Sequence, residues 1–249
     1  MSILKACIIA FGTYSKFPVP YFEWKEKDMK YSICFFPFVG VLLGAAEWLW
    51  FWICVNYGMG SLFKAAGAVI INILVTGGIH IDGYMDTMDA LHSYQPVEKK
   101  LEILKDAHIG AFAVIMLSLL LLAYIGALPG IDFNNVPLFA STFVFSRILS
   151  GLSVVLFKGA KKGGMLYAFS SSAQKKVVCI SLVMEFLFMA AGTIWIYKIK
   201  AVFVIVAMLI VFIYYRYKSY KEFGGITGDL AGWFLCLSEM VAVILCVFI

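Results

Sequence analysis

From Ile109 to Leu128 the chain runs for 20 residues without one charged side chain. A segment of that length matches the hydrocarbon thickness of a bilayer, where only helices or closed barrels can satisfy their own backbone polar groups. Six further apolar runs approach it, at 33–55, 62–79, 137–157, 177–197, 201–215 and 230–249. They are too long and unbroken for barrel strands. The expected fold is therefore all-α, a polytopic helical membrane protein of about seven transmembrane helices forming a single membrane-embedded domain over 1–249. Residues 6–15 are apolar but too short to cross, and no small-residue cleavage site follows them. An N-terminal interfacial helix is expected there, not a signal peptide. Between the fifth and sixth runs only Lys198, Ile199 and Lys200 remain to make a turn.

Composition agrees. The 249 residues are 63% hydrophobic and 14% charged, with a mean hydropathy of +0.93. A soluble domain is about 45–50% apolar and about 25% charged, so a water-soluble fold, a disordered chain and a nucleic-acid binder are all excluded. The six cysteines show no C-x-x-C spacing and read as small apolar residues of packed helices.

Basic residues in short loops set orientation. With the N-terminus inside, the inner segments hold Lys5, Lys16, Lys25, Lys27 and Lys30, then Lys99, Lys100 and Lys105. They also hold Lys158, Lys161, Lys162, Lys175 and Lys176, and finally Arg216, Lys218 and Lys221. Only Lys64, Lys198 and Lys200 stay outside, and Arg147 lies within a run. The expected topology is N-in, C-out, and it puts segments 77–110 and 216–232 on the cytoplasmic side.

Those two segments carry the acids. Asp82, Asp86 and Asp89 fall at i, i+4 and i+7, which on a helix is one face. No Lys or Arg lies between Lys64 and Lys99. Carboxylates about 6 Å apart repel by roughly 2–3 kcal/mol per pair at an effective dielectric near 20. Solvation, protonation or a bound cation relieves that repulsion. Tyr84, Met85 and Met88 between the acids do not suit a solvated surface helix, whereas clustered hard oxygens suit Mg²⁺ or Mn²⁺ completed by water and phosphate. The lead-in Gly77-Gly78-Ile79-His80-Ile81-Asp82 is repeated as Gly224-Gly225-Ile226-Thr227-Gly228-Asp229. Glycines at a helix start let backbone approach a ligand closely, and free N–H groups there can hold phosphate oxygens. Glu102 and Asp106, with Lys105 between them, precede the third run. Three acid-bearing segments at one membrane face suit phosphoryl transfer, with one carboxylate accepting a hydroxyl proton.

These blocks carry a resemblance. Gly77-Gly78-x-His80-x-Asp82-Gly83-x-x-Asp86-Thr87-x-Asp89-x-Leu91 resembles the signature of the adenosylcobinamide-GDP ribazoletransferase (cobalamin synthase) family. Glu102-Ile103-Leu104-Lys105-Asp106-x-x-Ile109-Gly110-x-Phe112 is similar to its second block, and Gly224-Gly225-x-Thr227-Gly228-Asp229-x-x-Gly232 to its third. Phe17-Pro18-x-Pro20, Phe36-Pro37-x-x-Gly40, Arg147 and Glu239 also fit, so the likeness runs from about residue 10 to 240. Where the family carries Ser-Arg after the Lys-Asp pair this chain has Ala107-His108, which makes a cationic contact there weaker or pH-dependent. Ala90 stands where a Gly is common.

The resemblance implies a Mg²⁺-dependent enzyme of a prokaryotic cytoplasmic membrane, at the last assembly stage of coenzyme B12. Its substrates are adenosylcobinamide-GDP and α-ribazole or α-ribazole 5′-phosphate. The ribose hydroxyl attacks the phosphate on the corrinoid arm, adenosylcobalamin or its 5′-phosphate forms, and GMP leaves. Placed on this sequence, the chemistry gives Asp82, Asp86, Asp89 and Asp229 as expected metal ligands. Asp89 is also the candidate base, Asp106 joins Asp229 in a second cation site or orients water, and Lys105 steadies the GMP phosphates. Gly77, Gly78, Gly225, Thr227 and Gly228 are expected to bind substrate. A homo-oligomer, or a complex with other corrinoid-assembly enzymes, is open.

Other residues have weaker claims. Glu47, Glu185 and Glu239 lie inside runs, where an unpaired acid costs several kcal/mol. Arg147 either pairs with one of them or touches substrate. Lys161-Lys162-Gly163-Gly164 either serves orientation alone or guides a polyanionic nucleotide. Two rival readings remain: a membrane phosphotransferase of the CDP-alcohol type, whose expected Arg after the first acids is missing here, and an ion-coupled transporter, which requires broken helices related between two halves.

Overall fold

The computed structural model describes residues 2–249. The chain is helical throughout, and among the described residues the one β-type pairing is an isolated parallel bridge between Gly159 and Ile226. In order the helices are α1 (Ser2–Tyr14), α2 (Phe36–Asn56), α3 (Ser61–Thr76), α4 (Ile79–His92), α5 (Val97–Ile103) and α6 (Ala111–Ala127). There follow α7 (Val136–Leu156), α8 (Gly164–Ser172), α9 (Lys175–Tyr197), α10 (Ile199–Phe223) and α11 (Gly228–Phe248). Among the described residues six helical segments are long and apolar enough to cross a membrane: Ser32–Asn56, Ala111–Gly130, Phe133–Leu156, α9, α10 and α11.

The expected second run is different. Helix α3 stops at Thr76, and α4 leaves it at 97° after two residues, so the seventh span exists only if this bent pair counts as one. The sixth run also extends further than its apolar core. Helix α10 continues through the charged stretch after Tyr215 to Phe223, because that stretch is partnered as helix. Lys100 of α5 donates to Glu222 at 2.5 Å with both side chains largely buried, and Lys218 lies 3.6 Å from Glu222 one turn away. The α9–α10 turn narrows to Lys198 alone, at a φ of 52°.

Helix α7 is the axis of the bundle. Its residues from Val144 through Val155 are all buried, against α2, α9, α10 and α11. Hydroxyls make such burial tolerable: Ser141, Thr142, Ser146 and Ser153 each donate to a carbonyl three residues back. Helix α2 crosses α7 at near-backbone distance, since a β-carbon on Gly44 would meet the Ala140 carbonyl oxygen at 2.9 Å and one on Gly40 would overlap that of Phe143. Small residues four apart allow this packing where no hydrophobic effect drives helices together in lipid.

At the centre Arg147 is fully buried and donates to Glu239 at 2.7 Å, to the Phe143 carbonyl at 2.9 Å and to Ser146 at 3.2 Å. Glu239 is therefore its partner, and Ser146 adds a further bond to the same carboxylate at 2.8 Å. Ser181, one turn before Glu185, donates to that acid at 2.7 Å. The expected N-terminal helix is present as α1, too short to cross a membrane, and it packs beside Ser32–Phe35 and α2.

Candidate active site

Two glycine elbows build the site. Gly77 and Gly78 have φ values of 66° and 75°, the left-handed region that glycine enters without steric cost, and they swing the chain from α3 into α4. Gly224 at 72° ends α10 in the same way. The second elbow is then pinned by Ile226, which donates to the Lys158 carbonyl and accepts from the Ala160 amide, both at 2.9 Å. Thr227 caps α11 by accepting from Leu230 N–H at 3.2 Å, and also donates to the Asp229 carboxylate at 3.3 Å. Of the five residues expected to bind substrate, Gly77, Gly78 and Gly225 thus form or pack the turns: Gly77 lies against the Lys16 side chain, Gly225 against the 158–160 backbone. Thr227 and Gly228 line a cavity.

The elbows bring α4 onto α11, and at Gly83 and Gly232 no side chain separates the two backbones. A β-carbon on Gly83 would stand 2.8 Å from the Asp229 backbone, and one on Gly232 would stand 2.9 Å from the His80 carbonyl oxygen. The glycine that follows the first aspartate in the motif therefore serves helix contact. It sets Asp82 and Asp86 of one helix beside Asp229 of the other. Helix α4 lies outside the six spans, and on it burial and then the carboxylates of Asp82, Asp229 and Asp89 push the Asp86 carboxyl up to about 6. Asp89 rests against Gly110 at the start of α6, where a β-carbon would overlap its carboxylate. That explains the Gly of the Ile109-Gly110 pair. The start of α6 also presents the positive end of a helix to this acid.

The other three expected metal ligands are thus within electrostatic reach of Asp86. Among the described residues no three His, Cys, Asp or Glu side chains converge tightly enough to hold a metal alone. Mg²⁺ does not demand that, because it keeps waters and takes one or two carboxylates plus phosphate oxygens. The hard-oxygen donor set and its unrelieved repulsion fit such an ion.

The second block divides. Asp106 is exposed and tied to His108, accepting from its backbone N–H at 3.0 Å with the ring Nδ1 at 2.6 Å, which holds the carboxyl below its ordinary range. It is not among the acids that act on Asp86. Lys105 is exposed, and its charge is felt at Lys161. Lys161, for which the sequence left two readings open, lies beside Asp229. Burial lowers its ammonium and the neighbouring Asp229 opposes that shift, so the KKGG loop reaches the acid cluster. Its signal was present in the Lys-Lys-Gly-Gly run, indistinguishable there from topology-setting charge.

Two cavities meet at Asp229. The larger, about 320 Å³, is lined by Tyr14, Phe36, Val154 and Phe169 together with Asp82 and Asp229. The smaller, about 170 Å³, is lined by Lys161, Gly163, Thr227 and Asp229, and shares Met165, Leu166 and Gly228 with the first. One carboxylate thus stands between an aromatic chamber and a cationic, glycine-lined one.

Comparison with known proteins gives a consistent answer. The sequence model of the family described as cobalamin-5-phosphate synthase matches residues 6–247. A relative from Lachnoclostridium phytofermentans, named adenosylcobinamide-GDP ribazoletransferase, is 44% identical over 242 residues, covering 97% of this chain and 93% of the relative. Proteins of the same name from Clostridium perfringens and Desulfitobacterium hafniense are each 31% identical, covering 97% of this chain and 96% of theirs. No solved structure matches the chain.

Proposed function

Because the chain belongs to the cobalamin-5-phosphate synthase family, transferases of late cobalamin synthesis, we propose that it joins adenosylcobinamide-GDP to α-ribazole or α-ribazole 5′-phosphate. The ribose hydroxyl oxygen bonds to the phosphorus that carries the corrinoid arm, the bond from that phosphorus to GMP breaks, and the hydroxyl proton passes to a carboxylate. Asp82, Asp86, Asp89 and Asp229 are the residues that would hold Mg²⁺. Such an ion, once bound, neutralises charge on the pyrophosphate oxygens. Asp89, held at the edge of the acid group by Gly110, accepts the proton. Lys105 and Lys161 steady the leaving GMP. Asp106 orders the turn that presents Lys105. The protein acts in the cytoplasmic membrane with the acid-bearing face toward the cytoplasm, a sidedness supported by the crowding of basic residues around that face. Labelling an Ala107→Cys variant with an impermeant reagent from the cytoplasmic side alone checks it.

One observation supports the reading above the others. Two helices meet glycine to backbone, and the contact brings Asp229, which feels the charge of Lys161, beside the three aspartates of α4. The test is GMP release from adenosylcobinamide-GDP and α-ribazole by purified protein in lipid, with Mg²⁺ titrated. Asp82→Asn should lose turnover and keep the inserted fold; near-normal turnover by that variant, or undiminished turnover in chelator, overturns the assignment. Release of CMP from a CDP-alcohol donor would favour the other phosphotransferase class. The transporter reading required related breaks in two halves, and the described residues contain one bent pair.

A further inference from the structure

The larger cavity is not explained by phosphate chemistry. Its walls come from six helices, α1, α2, α4, α7, α8 and α11, and most of its lining is hydrocarbon. Three aromatic rings stand around one side. The Tyr14 ring lies 4.2 Å from that of Phe36 and 5.7 Å from that of Phe169, tilted 37° and 36° from them. Phe36 and Phe169 are buried, and Val154 faces them from α7. The volume of about 320 Å³ is at the scale of a small-ligand pocket and too small for a corrinoid.

Its polar groups are few. Beyond Asp82 and Asp229, which belong to the acid cluster, the polar side chains are those of Tyr14, His80 and Ser150. No Asn, Gln, Lys or Arg lines it. A guanine enclosed there could pair its N–H edge only by drawing on Asp82 or Asp229, the carboxylates already assigned to the cation, and no amide or cationic side chain faces its carbonyl. A benzimidazole-type base has no such edge. It offers two flat apolar faces to stack on tilted rings.

We infer that this aromatic cavity takes the bicyclic, weakly polar base of the acceptor nucleoside, with its ribose emerging between Asp82 and Asp229. The inference rests on the transfer reaction proposed above. The base then lies on one side of Asp229, and the phosphates of the donor lie on the other, in the chamber of Lys161. Val154, Phe169 and Tyr14 become the residues that determine which base is accepted, and none of them touches the reacting atoms.

The experiment uses the full chain in lipid nanodiscs. Calorimetric binding of α-ribazole alone, with no corrinoid substrate, is compared between the native protein and Val154→Trp, which fills the cavity. Binding should weaken by about tenfold or more, the scale of one lost aromatic contact with its buried area. In turnover, the KM for α-ribazole should rise correspondingly while the KM for adenosylcobinamide-GDP stays within about twofold. Phe169→Ala removes a ring without adding bulk and should give the same split, which guards against a folding defect in the first variant. α-Ribazole binding as tight in both variants as in the native protein, or a KM change that falls on adenosylcobinamide-GDP, overturns the inference. Native protein that binds α-ribazole but releases no GMP sinks the proposed reaction and leaves the cavity assignment standing. Native turnover with unaltered α-ribazole binding in the variants does the reverse.

Discussion

Asp86 is strained first by burial and then by the charges of Asp82, Asp229 and Asp89. Its folded value of about 6 lies above the roughly 3.9 of an unfolded aspartate, so the protonated form is the one the fold favours. The stability that follows is fully present below about pH 4 and is lost as pH rises through about 6. Thermal melts in chelator should therefore fall between about pH 4 and 6, and Mg²⁺ should restore them at pH 7. Asp86→Asn should flatten that dependence and melt higher than the native protein at pH 7 without metal, while losing turnover. An equal pH slope in the variant would show that the acids do not strain the fold. The i, i+4, i+7 spacing made three of these acids legible in the sequence, because it is a property of one helix. Asp229 as their neighbour, Lys161 as their cation and the capture of Asp106 by His108 depend on contacts between segments, which no local spacing encodes.

Helices α4 and α11 are defined by the glycines at which they touch. Gly83→Ala places a methyl group against the Asp229 backbone, so α4 has to move outward by a few tenths of an ångström or more. Misplacement of about 1 Å in a transferase site can cost on the order of 100-fold in rate. The expected result is a folded, inserted protein with turnover reduced by about that factor; unchanged kcat would mean that the glycine contact is not what sets the acids. At this scale the apolar runs located the spans well, since burial in lipid imposes a length. They failed at α3, where the run continued through Ile79 but two left-handed glycines end the helix. They failed again at α10, where charges after Tyr215 suggested a loop, and a partner on α5 keeps them helical.

For the whole molecule the decisive pair is Arg147 with Glu239, set at the crossing of α7 and α11. Removing one partner leaves an uncompensated charge among packed helices, at a cost of about 3–5 kcal/mol. Arg147→Met should lower detergent-melt stability by that order, while joint replacement of Arg147 and Glu239 by apolar residues of similar volume should recover most of it. Equal stability of the single variant would refute the structural role of the pair. The sequence presented Arg147 and three intramembrane acids without a pairing, because partner choice depends on which helix faces are turned together. The bare contact of α4 on α11 has a further consequence. With bare backbone contact at Gly83 and Gly232, Asp229 is held beside the acids of α4 as long as the bundle stands and is released from them once it opens. Catalysis and global structure should then vanish at one temperature on heating, with no cooler interval of folded but idle protein.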